Sequence, residues 1–367
     1  MFTRIVLPAL IIFAFCAQIY AADITVTVVG EAQIVSGDLS TAKIVAEQRA
    51  KWSAMEEAAQ VKVTAANVVH NAEILDEVVK SEVSGSIKLF KKLDEGKDGN
   101  IYWIKAQVTV RPDEAQNVLA GMAKNTIIAV YFPLYFPKKR GVEESHGFSE
   151  ALIDELLALG FEVVDLADIS DAGFRGTLLN AALKKDMGTV RTLASRYMAG
   201  STLVGKLDII DKGNDIGYGK INFSIVDGSL DYRLIGEKGG KKSILASGTM
   251  LGRGQGATGE QAAYNTAQDM GERYASQLAG IAGEKILGDN KRTIRVVLIS
   301  NNDIAKLREF KEVVQNISWV LNVKENGIDS LTLTYPEKAM YLASIINING
   351  GYKIKSFTDT EILVYSK

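Results

Sequence analysis

Glu143, Glu144, Ser145 and His146 set two carboxylates, a hydroxyl and an imidazole side by side, the residue types of acid–base and nucleophilic chemistry. Adjacent residues rarely converge on one point, and no third group is spaced to orient the imidazole, so the four read as an exposed loop. His70, in a polar turn, reads the same way. Gly254-Gln255-Gly256-Ala257-Thr258-Gly259 matches G-x-G-x-x-G, whose glycines can let a backbone approach pyrophosphate. Here the preceding strand closes an antiparallel meander, and no acidic residue ends a partner strand about 20 residues on. Thr258 with Gln261 also forms a capping box, so the segment is expected to be a tight turn into a capped helix. Asp165, Asp168 and Asp171 recur at three-residue spacing but lack the central Gly and closing Glu of a hard-cation loop. They read as loop and N-cap carboxylates. Two His and one Cys leave little for a zinc site, a Cys–His nucleophile or a disulfide. The expectation is therefore no catalytic, cofactor-binding or metal residue, and no cofactor.

The most unusual segment is Tyr131-Phe132-Pro133-Leu134-Tyr135-Phe136-Pro137-Lys138-Lys139-Arg140, four aromatics and two prolines running into three cations. One reading is a strand end whose aromatics pack over the core, followed by a solvated charge cluster. The other is an exposed aromatic–basic loop that docks on a protein partner or an anionic lipid surface. On that second reading Tyr135, Phe136, Lys138, Lys139 and Arg140 are the candidate partner-binding residues.

These segments must be positioned by an α+β fold of three small mixed domains in series, over residues 23–122, 123–282 and 292–367. The first opens on the alternating strand Ile24 to Val29 and a helix from about Ser40 to Val61. In that helix Ala42, Ala46, Ala50, Ala54 and Ala58 form a four-spaced row of small residues that would let its axis lie close to a sheet. A helix over about 72–82 and strands 84–93 and 101–110 follow, with a polar turn from Asp94 to Asn100, then a short helix from Asp113 to Met122. The second domain opens on the strand Thr126 to Phe132, a Pro-punctuated loop to Gly147, a helix to Leu159 and the strand Phe161 to Leu166. A loop, a helix near 190–198 and strands 201–210, 220–227, 230–237 and 243–251 come next, separated by Gly213, Gly217, Gly228 and Gly239-Gly240. A closing helix spans Gly259 to about Ile281. Past a linker, Gly283 to Arg292, the order β-α-β-β-α-β marks a ferredoxin-like third domain, with Pro336 in the first turn of its second helix.

Apolar residues make up 47% of the 367 and charged residues 23%, which excludes a wholly disordered chain. With 42 Lys and Arg against 44 Asp and Glu, a basic nucleic-acid footprint is not expected. Residues 1–22 follow the plan of a cleavable signal peptide: Arg4, the apolar run Ile5 to Ala17, and the small-residue exit Ala21-Ala22. The run is too short for the roughly 20 residues of a membrane span. Cleavage would remove Cys16, and it would remove Arg4, leaving 41 basic against 44 acidic residues (42 less one), a net −3. A thiol-free mature chain suits an oxidising periplasm.

The first domain resembles the N-terminal domain of the flagellar assembly protein T family. The resemblance is carried by Val26-Thr27-Val28-Val29-Gly30-Glu31-Ala32, Asp38-Leu39, the Ala row, Val78 to Ile87, and Tyr102-Trp103-Ile104-Lys105-Ala106-Gln107-Val108-Thr109-Val110. The second domain is similar to that family's middle domain, to the N-terminal domain of TolB and to the curli secretion lipoprotein. It matches them at Ile128-Ala129-Val130-Tyr131-Phe132, at Ser201 to Lys206 and in the Gly-rich turn into an Ala-rich helix. The third domain departs from the family's small C-terminal β domain. The resemblance implies a non-enzymatic periplasmic scaffold of the flagellar basal body, in a ring around its rod, with ring or stator components as protein partners. A ring-forming homo-oligomer and peripheral outer-membrane contact belong to that expectation. The alternative is an envelope binding module of a secretion, adhesion or lipoprotein complex.

Overall fold

The computed structural model describes residues 22–59, 78–136, 141–184, 186–216, 222–238, 241–300, 303–349 and 351–366. The export segment, His70 and the cations Lys138, Lys139 and Arg140 lie outside the described residues. The fold is α+β, with a separate sheet in each of the three expected domains.

The first sheet has the order β1-β3-β2, with β1 Ile24–Gln33, β2 Ile87–Asp98 and β3 Ile101–Val110. In β1 the alternation of the sequence becomes an alternation of burial, so one face takes Val26, Val28, Gly30 and Ala32 inward. Helix α1, Leu39–Ala59, lies on that face with all five alanines of the row buried. The approach is as close as the small residues allow: a Cβ on Gly30 would sit 1.9 Å from the Ala46 carbonyl oxygen and 2.5 Å from the Ala50 nitrogen. The polar stretch expected as a turn is strand instead. Asp94 to Asp98 stay paired with β3, leaving Gly99-Asn100 to turn the chain with Gly99 at φ +56°. The pairing persists because the stretch forms an edge where Glu95 accepts from the Tyr102 hydroxyl and Trp103 lies over Gly96. Of the helix expected at 72–82, the described portion is a π-turn over Val79–Val83. Helix α2, Pro112–Met122, ends the domain.

In the second domain β4 (Lys124–Tyr131) pairs in parallel with β7 (Glu162–Asp165) on one side and with β8 (Ala199–Ile216) on the other. Beyond β8 lie β9 (Asn222–Lys238) and then β10 (Lys241–Gly256), both antiparallel. The loop after β4 contains the hairpin β5 (Leu134–Phe136) and β6 (Gly141–Glu143), with β5 continuing the line of β4 along β8. One sheet face is covered by α3 (Gly147–Ala158) and α6 (Gly259–Asp289), and Ile128, Phe132, Leu203, Val226 and Met270 are buried between them. The other face is covered over its parallel half by α4 (Ala172–Leu183) and α5 (Met187–Ser195).

Three expectations fail here for one reason. Gly228 does not separate strands but sits inside β9, because α6 crosses there and a Cβ would come 2.7 Å from Thr266 Cγ2. The linker expected from Gly283 is helix, since α6 runs 31 residues and buries Ala279, Ala282 and Ile286. Helix α4, expected as loop, forms because Asp171 caps it and Phe174, Leu178 and Ala181 face the sheet. Long-range packing decides all three.

The third sheet follows after two residues. Its order is β12-β13-β11-β15-β14, with β11 Arg292–Ile299, β12 Asn322–Asn326, β13 Ser330–Tyr335, β14 Tyr352–Phe357 and β15 Glu361–Ser366. Helix α7 is Ile304–Gln315 and α8 is Ala339–Ile348. The ferredoxin-like expectation is corrected at its end: β15 inserts beside β11, parallel to it, and pushes β14 to the edge. Pro336 and Glu337 stand before α8, not in its first turn.

Candidate functional site

The two readings of Tyr131 to Arg140 can be weighed from β4 outward. Tyr131, Phe132 and Leu134 are fully buried, with Phe132 edge-on to Phe148 at 5.4 Å. Pairing of Leu134 with Leu207 and of Tyr135 with Asp208 then fixes the alternation, so Tyr135 and Phe136 point to opposite faces. Phe136 packs against the core between α3 and α6, and Tyr135 is half-buried on the opposite face with the Lys206 ammonium 5.3 Å from its ring centre. The aromatic half of the segment is therefore a hairpin packed on the domain, which corrects the fully exposed loop.

Tyr135 borders the region of the sheet that α4 and α5 leave open. Strands β8, β9 and β10 are 18, 17 and 16 residues long and run past the helices. Their outward positions carry a ladder of charges. Lys206 pairs with Asp208 at 2.8 Å; Arg253 and Lys212 reach Asp227 at 2.7 and 3.4 Å; Thr249 donates to Asp231 at 2.7 Å. Both partners hold the Asp227 carboxyl below its ordinary value, Arg253 most. A cavity of about 280 Å³ opens on this face, lined by Val204, Lys206, Asp231, Arg233 and Thr249 under Ala182 of α4. Strand β10 has β9 on one side only and leaves its other edge unpaired among the described strands, with Ile244 and Leu251 well exposed. Charges of alternating sign, paired within β8 and across to β9, beside an open edge can recognise an extended polar segment by strand addition and charge matching. Sequence reasoning missed these residues because it broke β9 at Gly228. With the strand carried through, the two-residue alternation Asp227, Ser229, Asp231, Arg233 is the signal.

The acid–base quartet is split. His146 is buried, not exposed, and stands as N-cap of α3, where its backbone N–H donates to Ser149 Oγ at 3.0 Å and Ser149 Oγ donates to its carbonyl at 2.8 Å. Its Nε2 lies 2.6 Å from the Phe132 carbonyl, which fixes the proton on that nitrogen and leaves Nδ1 buried without a partner. Burial holds its pKa below the ordinary 6.5. Glu143 and Ser145 stay exposed, and Ser145 donates to Glu150 at 3.0 Å. Glu144 turns toward the Tyr131 hydroxyl, whose pKa is raised by burial first and by that carboxylate second. The quartet does not converge.

The glycine motif and the Asp series do what local geometry asks of them. Gly254 and Gly256 lie in β10 directly under α6, where a Cβ would meet Thr266 Oγ1 at 2.3 Å and the Ala262 nitrogen at 2.5 Å. The space a pyrophosphate would need is filled by helix backbone. Thr258 accepts from the Gln261 N–H at 3.1 Å, while the Gln261 amide turns away to Asn265, so one half of the capping box forms. Asp165 accepts from the Ala167 N–H and Asp171 from those of Gly173 and Phe174. Among the described residues no group of three or more His, Cys, Asp or Glu could hold a metal ion, and no helix is long and apolar enough to cross a membrane.

No family model matches the chain, and no curated protein matches it. Among solved structures it is similar over a portion of its length to a hypothetical protein, CT253, from Chlamydia trachomatis (11% identity, 42% of this chain and 96% of that one, TM-score 0.24). It is similar also to a minor lipoprotein from Acinetobacter baumannii (13% identity, 42% and 92%, TM-score 0.21) and to lipoprotein GNA1162 from Neisseria meningitidis (17% identity, 43% and 97%, TM-score 0.23). Each of these likenesses spans less than half of this chain.

Proposed function

We propose that this chain is a non-catalytic binding module of the bacterial cell envelope, working by presenting the open face of β8, β9 and β10 to a protein partner. The observation that carries this reading is the charge ladder on three strands that outrun their covering helices, with Tyr135 at its margin. The export-like pattern of residues 1–22 supports the compartment. A flagellar basal-body role is the narrower reading, and it rests on the resemblance of residues 24–110 to the flagellar assembly protein T family.

The test replaces Tyr135, Lys138, Lys139 and Arg140 together by Ser and leaves Phe136, which packs inward, untouched. Co-sedimentation with isolated envelopes is expected to fall while the urea midpoint stays within experimental error, because Tyr135 is only half-buried and stands outside the core clusters. Unchanged co-sedimentation removes this margin from the interface. Repeating the fractionation in a non-flagellated strain separates the readings: retention there favours the general module, and loss favours the basal body.

A further inference from the structure

The segment that joins the first domain to the second, Met122 to Thr126, is held from outside by the third domain. Glu337 is 2% exposed, and its carboxylate accepts the backbone N–H of Asn125 at 2.9 Å and that of Thr126 at 2.6 Å. The Asn125 amide donates to the Pro336 carbonyl at 3.0 Å. The Tyr341 hydroxyl donates to the Met122 carbonyl, and the Lys124 ammonium lies 5.0 Å from the centre of the Tyr341 ring. These contacts join residues more than 200 positions apart. They also explain why Pro336 and Glu337 precede α8 instead of starting it.

This joint is where the first domain would otherwise turn on the second. Helix α2 ends at Met122 and β4 begins at Lys124, so Ala123 is the whole connection. A one-residue connection with its carbonyls and N–H groups unbound would be free to pivot, since hinges are a few element-terminal residues that absorb φ/ψ change. The Lys124 N–H donates to the Met198 carbonyl of the second domain at 3.2 Å, and the other polar fastenings come from Pro336, Glu337 and Tyr341 of the third.

We infer that the third domain is the lock on the joint between the first two: with Glu337 seated the first domain is fixed, and with Glu337 withdrawn it swings about Ala123. The lock adds to the binding role proposed above and does not depend on it. Anything that draws the third domain away, a partner included, would re-aim the first sheet.

Trypsin reads the joint directly, because its target bond after Lys124 lies inside the clasp. In the full chain, Glu337→Ala is expected to speed cleavage there about a hundredfold, from the loss of two charge-assisted hydrogen bonds, with cleavage after Lys353 on β14 unchanged. Asn125→Ala with Tyr341→Phe removes two other fastenings, buries no charge, and is expected to give about tenfold. This second variant decides the matter if Glu337→Ala simply unfolds the third domain and speeds both cuts. Spin labels at Lys91→Cys and Asp154→Cys, in a Cys16→Ser chain, report whether the first domain moves, and a narrow distance distribution is expected to broaden in either variant. An unchanged cut after Lys124 in the double variant overturns the lock. So does a faster cut with an unbroadened distance, which would mean that the third domain lifts off without freeing the joint.

Discussion

Gly254→Val is expected to cost the second domain about 3 kcal/mol or more, near the upper end of what overpacking does, because the clash is with fixed atoms. The new Cβ would lie 2.3 Å from Thr266 Oγ1 and 2.7 Å from the Ala262 carbonyl oxygen, both inside the second and third turns of α6. The helix would have to lift from β10, and Ala262, Thr266 and Met270, all fully buried, would lose their packing together. A urea titration of the purified chain measures this as a lowered midpoint. The contrast lies five residues on. A Cβ on Gly259, the first residue of α6, meets nothing within 4 Å, so Gly259→Ala is expected to be neutral or to stabilise by about 0.5 kcal/mol. A phosphate-gripping loop would tolerate neither change, so an equal loss for both variants would reject helix–strand packing as the reason for these glycines.

Acid is expected to loosen the same domain through His146. Burial lowers its folded pKa below 6.5, and the Glu150 carboxylate and the bond to Phe132 O only partly offset that. The unfolded chain therefore binds a proton that the folded chain refuses. The resulting stability is complete above pH 6.5 and declines as pH falls, by up to about 1.4 kcal/mol per unit until the folded pKa is reached. Glu56 in the first domain works with the opposite sign. Burial raises its carboxyl to about 7 against the opposing bond from Trp52 Nε1, so its contribution is present at low pH and lost as pH climbs through 7. Unfolding midpoints between pH 5 and 8 for the parent, His146→Gln and Glu56→Gln separate the two. His146→Gln should flatten the acid limb at a fixed cost of about 1 kcal/mol for the lost bond to the Phe132 carbonyl, since the cap itself uses backbone groups that Gln keeps. An acid limb that survives in His146→Gln places the proton elsewhere.

What could be read in advance was local, and what could not was set by distant chain. The row Ala42 to Ala58 announced a helix pressed to a sheet, and Gly30 is where it presses. Thr258 announced a helix start through its own side chain. Gly228, by contrast, looks like any turn glycine, because the helix that needs its missing side chain begins 31 residues later. The polar run Glu143 to Ser145 disguised His146 as exposed, although burial there is decided by Phe132 and Phe148 on either side of it. Glu337 gave no signal at all, since its partners are two backbone N–H groups some 210 residues away. In the candidate interface Tyr135 was legible as an aromatic before cations. Asp227, Asp231 and Arg253 were not, because their pairing depends on a register that only the completed sheet defines.

The 31-residue α6 is in effect a drive shaft, about 46 Å long, with the second sheet keyed to most of its length and the third sheet bolted two residues past its end. Its residue count therefore sets an angle as well as a distance. One residue inserted after Ile286 would turn the third sheet by about 100° and carry Glu337 out of reach of Asn125, whereas four inserted residues would bring it nearly back into phase, displaced by about 6 Å. A chain built in this way tolerates substitutions along the outer side of the shaft far better than any change in its length.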